Sequence, residues 1–385
     1  MKDLGIYFNR IDLDHSYENK LGSKFIEFSA DDFEKPESGS IAIIYVPEYR
    51  NSEKENKQDY IAKVHHALSS LKAGNWGAKI YSLGIIQPGN SIDDTYLALQ
   101  EVVSELVKFD VFPLVIGGSQ DLMYPIYKAY EKLEQTINIL DIDCELDMGD
   151  PESPISDKGW LNKIILHKPT FLFNYSLFGY QSYFVSDEEL DLLNKMYFDS
   201  HRLGLFYEDS RVIEPLCRNA DILSFDMDTI RASDHPGNSR FLPHGFYGED
   251  ACKIMRYAGL SDKLSSLGLF NLMPSETGFS WQDANLVAQM IWYFLEGFNQ
   301  RKGDYPIGSK ASYTKFRVSI DDFKDEIIFY KSDKSGRWWM EVPYPKVDGV
   351  KFQRHLLIPC NYTDYENALQ NEMPNLWWKT YEKLS

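Results

Sequence analysis

The chain is short of basic side chains, of closely spaced cysteines and of long apolar runs, and each shortage closes off a class of function. Its 385 residues hold 40 Lys and Arg against 58 Asp and Glu, a formal charge of −18. A surface of that sign repels polyanions, so neither nucleic acid nor an anionic membrane is an expected partner. The four cysteines, Cys144, Cys217, Cys252 and Cys360, are too scattered for a zinc cage or a disulfide framework, and they fit a reducing compartment. No stretch approaches the roughly 20 apolar residues of a membrane helix. The opening Met1-Lys2-Asp3-Leu4-Gly5-Ile6-Tyr7 lacks the apolar run of a signal peptide. The expectation is a cytoplasmic protein without membrane insertion. What the chain does have is 43% hydrophobic and 15% aromatic residues, enough for a large core or two smaller ones.

From about residue 41 to 300, short apolar runs alternate with longer amphipathic stretches, the pattern of strands and crossover helices in a parallel sheet. Strands are predicted at 41–46, 79–83, 112–116, 137–142 and 221–225, and helices at 93–108, 122–133, 187–196, 248–259 and 281–298. The first 40 residues form an N-terminal extension outside this pattern. Residues 301–385 form a C-terminal one, with a hairpin of 325–330 and 337–342 around Lys331 to Gly336 and an aromatic helix over 365–384.

In an open parallel sheet, chemistry is expected beyond the carboxyl ends of the strands. Three such ends carry polar groups: Gly117-Gly118-Ser119-Gln120-Asp121, Asp143-Cys144-Glu145-Leu146-Asp147 and Ser224-Phe225-Asp226-Met227-Asp228. Residues two apart in extended chain point the same way, so Asp143, Glu145 and Asp147 share a face if the strand runs that far, as do Asp226 and Asp228. Two carboxylates 4 Å apart repel by about 4 kcal/mol at an effective dielectric of 20. Either a bound cation answers them, or a protein cation such as Arg231, Lys158 or Lys163 folds inward, or some stay protonated. The plain alternative is that they fan into solvent or cap helices.

The order of these segments, with Phe112-Pro113-Leu114-Val115-Ile116 ahead of the first and His235-Pro236-Gly237 after the last, resembles the ureohydrolase superfamily of arginase, agmatinase and formimidoylglutamase. The likeness extends to Tyr45-Val46-Pro47 and Ser82-Leu83-Gly84 and covers roughly residues 40 to 300. It implies a three-layer α/β/α fold with an eight-stranded, mostly parallel sheet. It also implies an ancestral two-manganese site whose bridging hydroxide attacks a guanidinium or formimino carbon. The resemblance maps the metal positions onto Gln120, Asp143, Glu145, Asp147, Asp226 and Asp228, and substrate contacts onto Asn271, Arg231 and His235.

The departures are specific. Gln120 and Glu145 stand where the family pattern has histidine, Asn271 stands for a substrate-clamping glutamate, and Arg231 falls where relatives carry a neutral or acidic residue. Imidazole suits Mn, Zn, Fe and Ni, whereas an all-oxygen set suits Mg, Ca or Mn. The expectation is therefore no metal or one divalent cation (Mg, Mn or Ca), in a catalytically impaired protein acting through a small ligand or a protein partner. The alternative is a live formimidoylglutamase-like hydrolase with an oxygen-only site; a third reading is a structural or assembly protein. No shuttle histidine stands in 150–162, and His167 and the adjacent His65 and His66 read as structural. Trp338, Trp339, Trp377 and Trp378 exceed what a small appendage buries alone, so they either pack back onto the α/β domain or meet a partner. A homo-oligomer is a further expectation, since relatives often assemble.

Overall fold

The computed structural model describes residues 4–11, 17–29, 33, 35–52, 59–272, 279–306, 310–321, 323, 326–343 and 353–384. Eight strands, β3 (Ile41–Tyr45), β4 (Ile80–Ile86), β5 (Phe112–Ile116), β6 (Ile137–Ile142), β7 (Leu172–Tyr180), β8 (Asp199–Arg202), β9 (Ile222–Asp226) and β10 (Ser266–Phe270), pair in parallel in the order β4-β3-β5-β10-β9-β6-β7-β8. Two short strands from the first 40 residues, β1 (Phe8–Asn9) and β2 (Phe25–Glu27), join β4, the first antiparallel and the second parallel. The sheet therefore has ten strands, two more than the resemblance implies, because the N-terminal extension adds an edge.

The strands are apolar throughout because both faces are covered. In β3, Ile41, Ile43 and Tyr45 face one core with α1 (Asp59–Ser69), α8 (Gly248–Gly259) and α9 (Trp281–Phe298). Ala42 and Ile44 face the other with α2 (Ile92–Lys108), α3 (Met123–Glu131) and α4 (Trp160–Leu166). The period of two along a strand thus splits one apolar run between two layers. Capping boxes start several helices, as at Ser91 with Asp94 and Ser280 with Asp283. Between these strands lie α5 (Asp187–Lys195), α6 (Leu203–Glu208) and α7 (Ile213–Asn219). Among the described residues no helix is long and apolar enough to cross a membrane.

The C-terminal appendage is larger than a hairpin. The expected pair is present as β12 (Ile327–Ser332) and β13 (Trp338–Glu341), flanked by β11 (Tyr313–Val318) and β14 (Leu357–Cys360) in a four-stranded antiparallel sheet. The start of the predicted first strand, Asp325, lies outside the described residues. The single predicted helix is two, α10 (Tyr362–Leu369) and α11 (Asn375–Leu384), broken where Asn371 takes a left-handed conformation and Pro374 follows.

This unit covers the amino ends of the strands. Arg354 donates to Asp221 at 2.6 Å, His355 stacks on Phe173 with ring centres 3.8 Å apart, and Lys379 meets Asp199 at 3.2 Å. Arg218, at the end of α7, is buried; it donates to the carbonyls of Trp338 (3.1 Å) and Cys360 (3.0 Å), pairs with Glu214 and lies 4.7 Å from the Trp339 ring. Trp338, Trp339 and Trp377 are buried within the chain, and Trp378 is 42% exposed. Arg218→Ala would take a donor from two carbonyls and leave the Glu214 carboxylate to Arg337 alone, 3.2 Å away, so a loss of about 2 kcal/mol is expected in denaturant unfolding. A loss below about 0.5 kcal/mol would mean that the appendage does not lean on this arginine.

Candidate active site

The site residues come from four adjacent strands, β5, β10, β9 and β6, whose carboxyl ends lie side by side at the end of the sheet opposite the appendage. After β5 the chain turns through Gly117 and Gly118, both at positive φ (91° and 76°). A Cβ on Gly117 would collide with the Tyr60 hydroxyl, and one on Gly118 would come within 2.7 Å of the Val46 carbonyl. Only glycine lets this turn pass and drop Gln120 into the interior.

Gln120 is fully buried. Its amide nitrogen donates to Asp141 Oδ1 at 2.9 Å and to Ser224 Oγ at 3.0 Å, and its Oε1 has no hydrogen-bond donor. Asp141 also accepts from the Tyr175 hydroxyl at 2.7 Å. Burial lifts the Asp141 carboxyl to about 7 against its donors Tyr175, Ser224 and Gln120, with nearby Asp226 adding to the rise. Neither Asp141, Ser224 nor Tyr175 figures in the sequence-based set. Parity would have found Asp141, two residues before Asp143 in β6 and level with Ser224 in β9.

The strand does not run through the acidic motif. It stops at Ile142, so Asp143, Glu145 and Asp147 are placed by a turn, not by a shared strand face. They consequently part company. Asp143 is buried, accepts from the Glu145 backbone N–H at 3.1 Å and leaves Oδ2 without a donor. Burial first, then Asp226, Asp147 and Asp141, raise its carboxyl well above the ordinary range. Asp147 accepts from the Trp160 indole N–H at 3.2 Å; burial raises it too, against the opposing pull of Lys158. Glu145 turns outward between two cations, Lys158 and Arg240, both within hydrogen-bond reach of Oε1. The Lys158 ammonium lies 3.7 Å from Asp147 Oδ1 as well. Burial would lower the Lys158 ammonium, but Asp147, Asp226, Asp143 and Glu145 outweigh it and hold it above its ordinary value.

On the β9 side, Asp226 accepts from the Asp228 backbone N–H at 2.7 Å and from Asn271 Nδ2 at 2.9 Å. Asn271, just past β10, has φ of 59° and donates its backbone N–H to the Gly118 carbonyl at 2.9 Å; Met273 and Pro274 lie outside the described residues. Asp228 faces the next loop, where it accepts from the Ser239 N–H at 2.8 Å and from the Ser239 hydroxyl.

Of the candidate inward cations, Lys158 is the one that enters the mouth. Arg231 donates through Nε to Asp234 at 2.9 Å and lies 3.7 Å from the centre of the Tyr247 ring; Lys163 donates to the carbonyls of Pro151 and Ser153. Arg240, which sequence reasoning missed, joins from a loop 95 residues away and lies 5.0 Å from the Phe184 ring. His235 is buried with Nδ1 at 2.7 Å from Asp283, a carboxylate that also caps α9, so it ties a turn to a helix start. His167 sits between Lys128 and Glu131, His65 against Tyr45, and His66 on Tyr17.

A second polar nest lies beside the first. Asp121 accepts from Ser119, Tyr96 and Asn51, and burial outweighs these donors to lift its carboxyl to about 6. Next to it, Glu48 is held by Arg50 and Thr95.

The family model described as the arginase family matches residues 54–296. Formimidoylglutamase of Streptococcus gordonii is 23% identical over 241 residues, spanning 57% of this chain and 71% of that protein. Agmatinase of Blochmanniella floridana is 24% identical over 187 residues, spanning 48% of this chain and 59% of the relative. Among solved structures, Trypanosoma cruzi formiminoglutamase with Mn2+ superposes with a TM-score of 0.62 at 18% identity, covering 68% of this chain and 94% of that one. Formimidoylglutamase from Bacillus subtilis gives a TM-score of 0.65 at 16% identity, covering 73% and 92%. At such identities the structural likeness establishes the fold, while the matched family model spans most of the parallel sheet and stops short of the C-terminal one. The chain belongs to the arginase family.

Proposed function

We propose that this protein keeps the ureohydrolase scaffold without its two-manganese chemistry, and that it works by binding a small ligand or a protein partner, not by cleaving a guanidino or formimino C–N bond. The observation that carries this reading is the Lys158 ammonium between Glu145 and Asp147: a protein cation stands among carboxylates that a pair of metal ions would have to share. The donor set points the same way. Gln120 spends its amide nitrogen on Asp141 and Ser224, Glu145 is neutralised by Lys158 and Arg240, and among the described residues no imidazole bonds to the mouth carboxylates. The residues present do not fit a two-manganese centre.

A second reading is favoured by a different observation. Gln120 Oε1, Asp143 Oδ2, Asp147 Oδ1 and Asn271 Oδ1 are buried acceptors without a hydrogen-bond donor. Oxygen-only sets of that kind suit one hard cation such as Mg or Mn, and a rebuilt site of this sort supports a formimidoylglutamase-like hydrolase.

One experiment separates the two. Protein dialysed against manganese or magnesium and then against buffer is analysed for bound metal, and assayed for urea or formamide release from arginine, agmatine and formimidoylglutamate. The binding reading expects neither stoichiometric metal nor product. Release of formamide or urea together with one bound ion per chain would replace it with the second reading.

A further inference from the structure

A pocket of about 520 Å³ opens beside the carboxyl ends of β7 and β8, lined by Tyr180, Tyr183, Tyr207, Tyr247, Arg202 and Arg231 among others. None of the acidic residues of the mouth lines it. Its volume lies within the range of sites for metabolite-sized molecules.

The arrangement of Arg231 is the informative part. Its Nε donates to Asp234 at 2.9 Å and its guanidinium carbon stands 3.7 Å from the centre of the Tyr247 ring. Asp234 is itself fixed, accepting from the Gly248 N–H at 2.8 Å, at the start of α8, and from the Ser233 hydroxyl at 3.1 Å. One edge and one face of the guanidinium are thereby held, while its terminal nitrogens make no hydrogen bond among the described residues. A planar fork held with two parallel donors to spare is the geometry that grips a carboxylate bidentately. Around it the tyrosines stay uncovered: Tyr183, Tyr207 and Tyr247 are 64%, 48% and 40% exposed. Clustered tyrosines offer rigid faces for a flat ring.

We propose that this pocket binds a small molecule consisting of a planar aromatic or heteroaromatic ring bearing a carboxylate, with Arg231 gripping the carboxylate and the tyrosines the ring. The inference deepens the binding reading by giving the ligand a place and a chemistry. Its test reads binding at Arg231, whereas the test of that reading is product release, so either fails without the other.

The experiment titrates the full-length protein with benzoate, benzamide and benzylamine, following binding by calorimetry or ligand-observed NMR. Saturable benzoate binding is expected, with benzamide and benzylamine weaker by about tenfold or more. Arg231→Gln should weaken benzoate about tenfold, and Arg231→Lys should recover only part of the loss, because an ammonium cannot present a fork. Should Arg231→Gln fail to fold with Asp234 left unpaired, the double variant Arg231→Gln with Asp234→Asn removes both charges together and reads the same loss. Equal binding of the three probes, preference for benzylamine, no saturable benzoate binding, or unchanged benzoate affinity in the folded variants would each overturn the proposal.

Discussion

Replacing Lys158 by methionine is expected to destabilise the metal-free protein by about 2 kcal/mol near neutral pH, and by far less in acid. A fully buried pair that loses one partner costs about 3–5 kcal/mol and an exposed pair about 0–1. Lys158 falls between, because its side chain is 40% exposed while its partner Asp147 is buried. The pH dependence follows from the carboxyls it serves. Asp143 and Asp147 are raised well above the ordinary range, mainly by burial, while Lys158 pulls each of them back down. A carboxyl raised in the folded state holds a proton that the unfolded chain has released. Its contribution to stability is therefore complete below the unfolded pKa, near 4, and is lost as pH rises through the folded value, at about 1.4 kcal/mol per pH unit for each such proton. In the metal-free protein this opposes the usual gain of stability on leaving acid. Taking Lys158 away pushes the same carboxyls further up, so wild type and variant should converge toward pH 4 to 5 and diverge toward pH 8. Thermal unfolding in chelator across that range measures it. Curves that stay parallel at every pH would show that Lys158 does not answer these carboxylates.

How much of this was legible beforehand depends on range in sequence. The parallel sheet was, because a strand covered on both faces is apolar residue after residue and the intervening helices repeat every 3.6. Helices α8 and α9 are bounded as their periodicity predicts. The short edge strands β1 and β2 were not, since two or three residues carry no period, and β11 and β14 were missed because β11 is largely polar and exposed and β14 is four residues long with a proline inside it. In the site, strand-end logic brought Gln120, Asp143, Asp147 and Asp226 to one end of the sheet. It bounded β6 at Ile142, where the strand does end, so the condition under which Asp143, Glu145 and Asp147 would share a strand face is not met. Lys158, thirteen residues past Glu145, entered as one of several cations, and nothing in the sequence separates it from Arg231. The pairing of Arg240 with Glu145 crosses 95 residues and is a product of the packed fold.

The largest gain of function is expected from placing an imidazole at each of the two positions that the proposed correspondence assigns to histidine. Gln120→His would keep one N–H for Asp141, now 2.9 Å from the Gln120 amide nitrogen, and turn the other ring nitrogen toward Asp143 and Asp147 as a donor to metal. Glu145→His would remove one anion and release Lys158 and Arg240 from their shared carboxylate. Together the changes shift the donor set from oxygen alone to the nitrogen and oxygen mixture that manganese accepts. Lys158 then becomes the obstacle, since its ammonium repels an incoming dication from 3.7 Å beside Asp147. The double variant should therefore acquire measurable manganese affinity by paramagnetic resonance. The triple variant with Lys158→Met should bind about tenfold tighter or more, one such step being worth 1.4 kcal/mol. Formamide or urea release is expected from neither, because on the proposed correspondence Asn271 replaces the family's substrate clamp and among the described residues no histidine bonds to the mouth carboxylates. If the double variant folds and takes up no more manganese than wild type, Gln120 and Glu145 do not occupy the two imidazole positions, and the correspondence between this acidic nest and the family's metal centre is broken at its root.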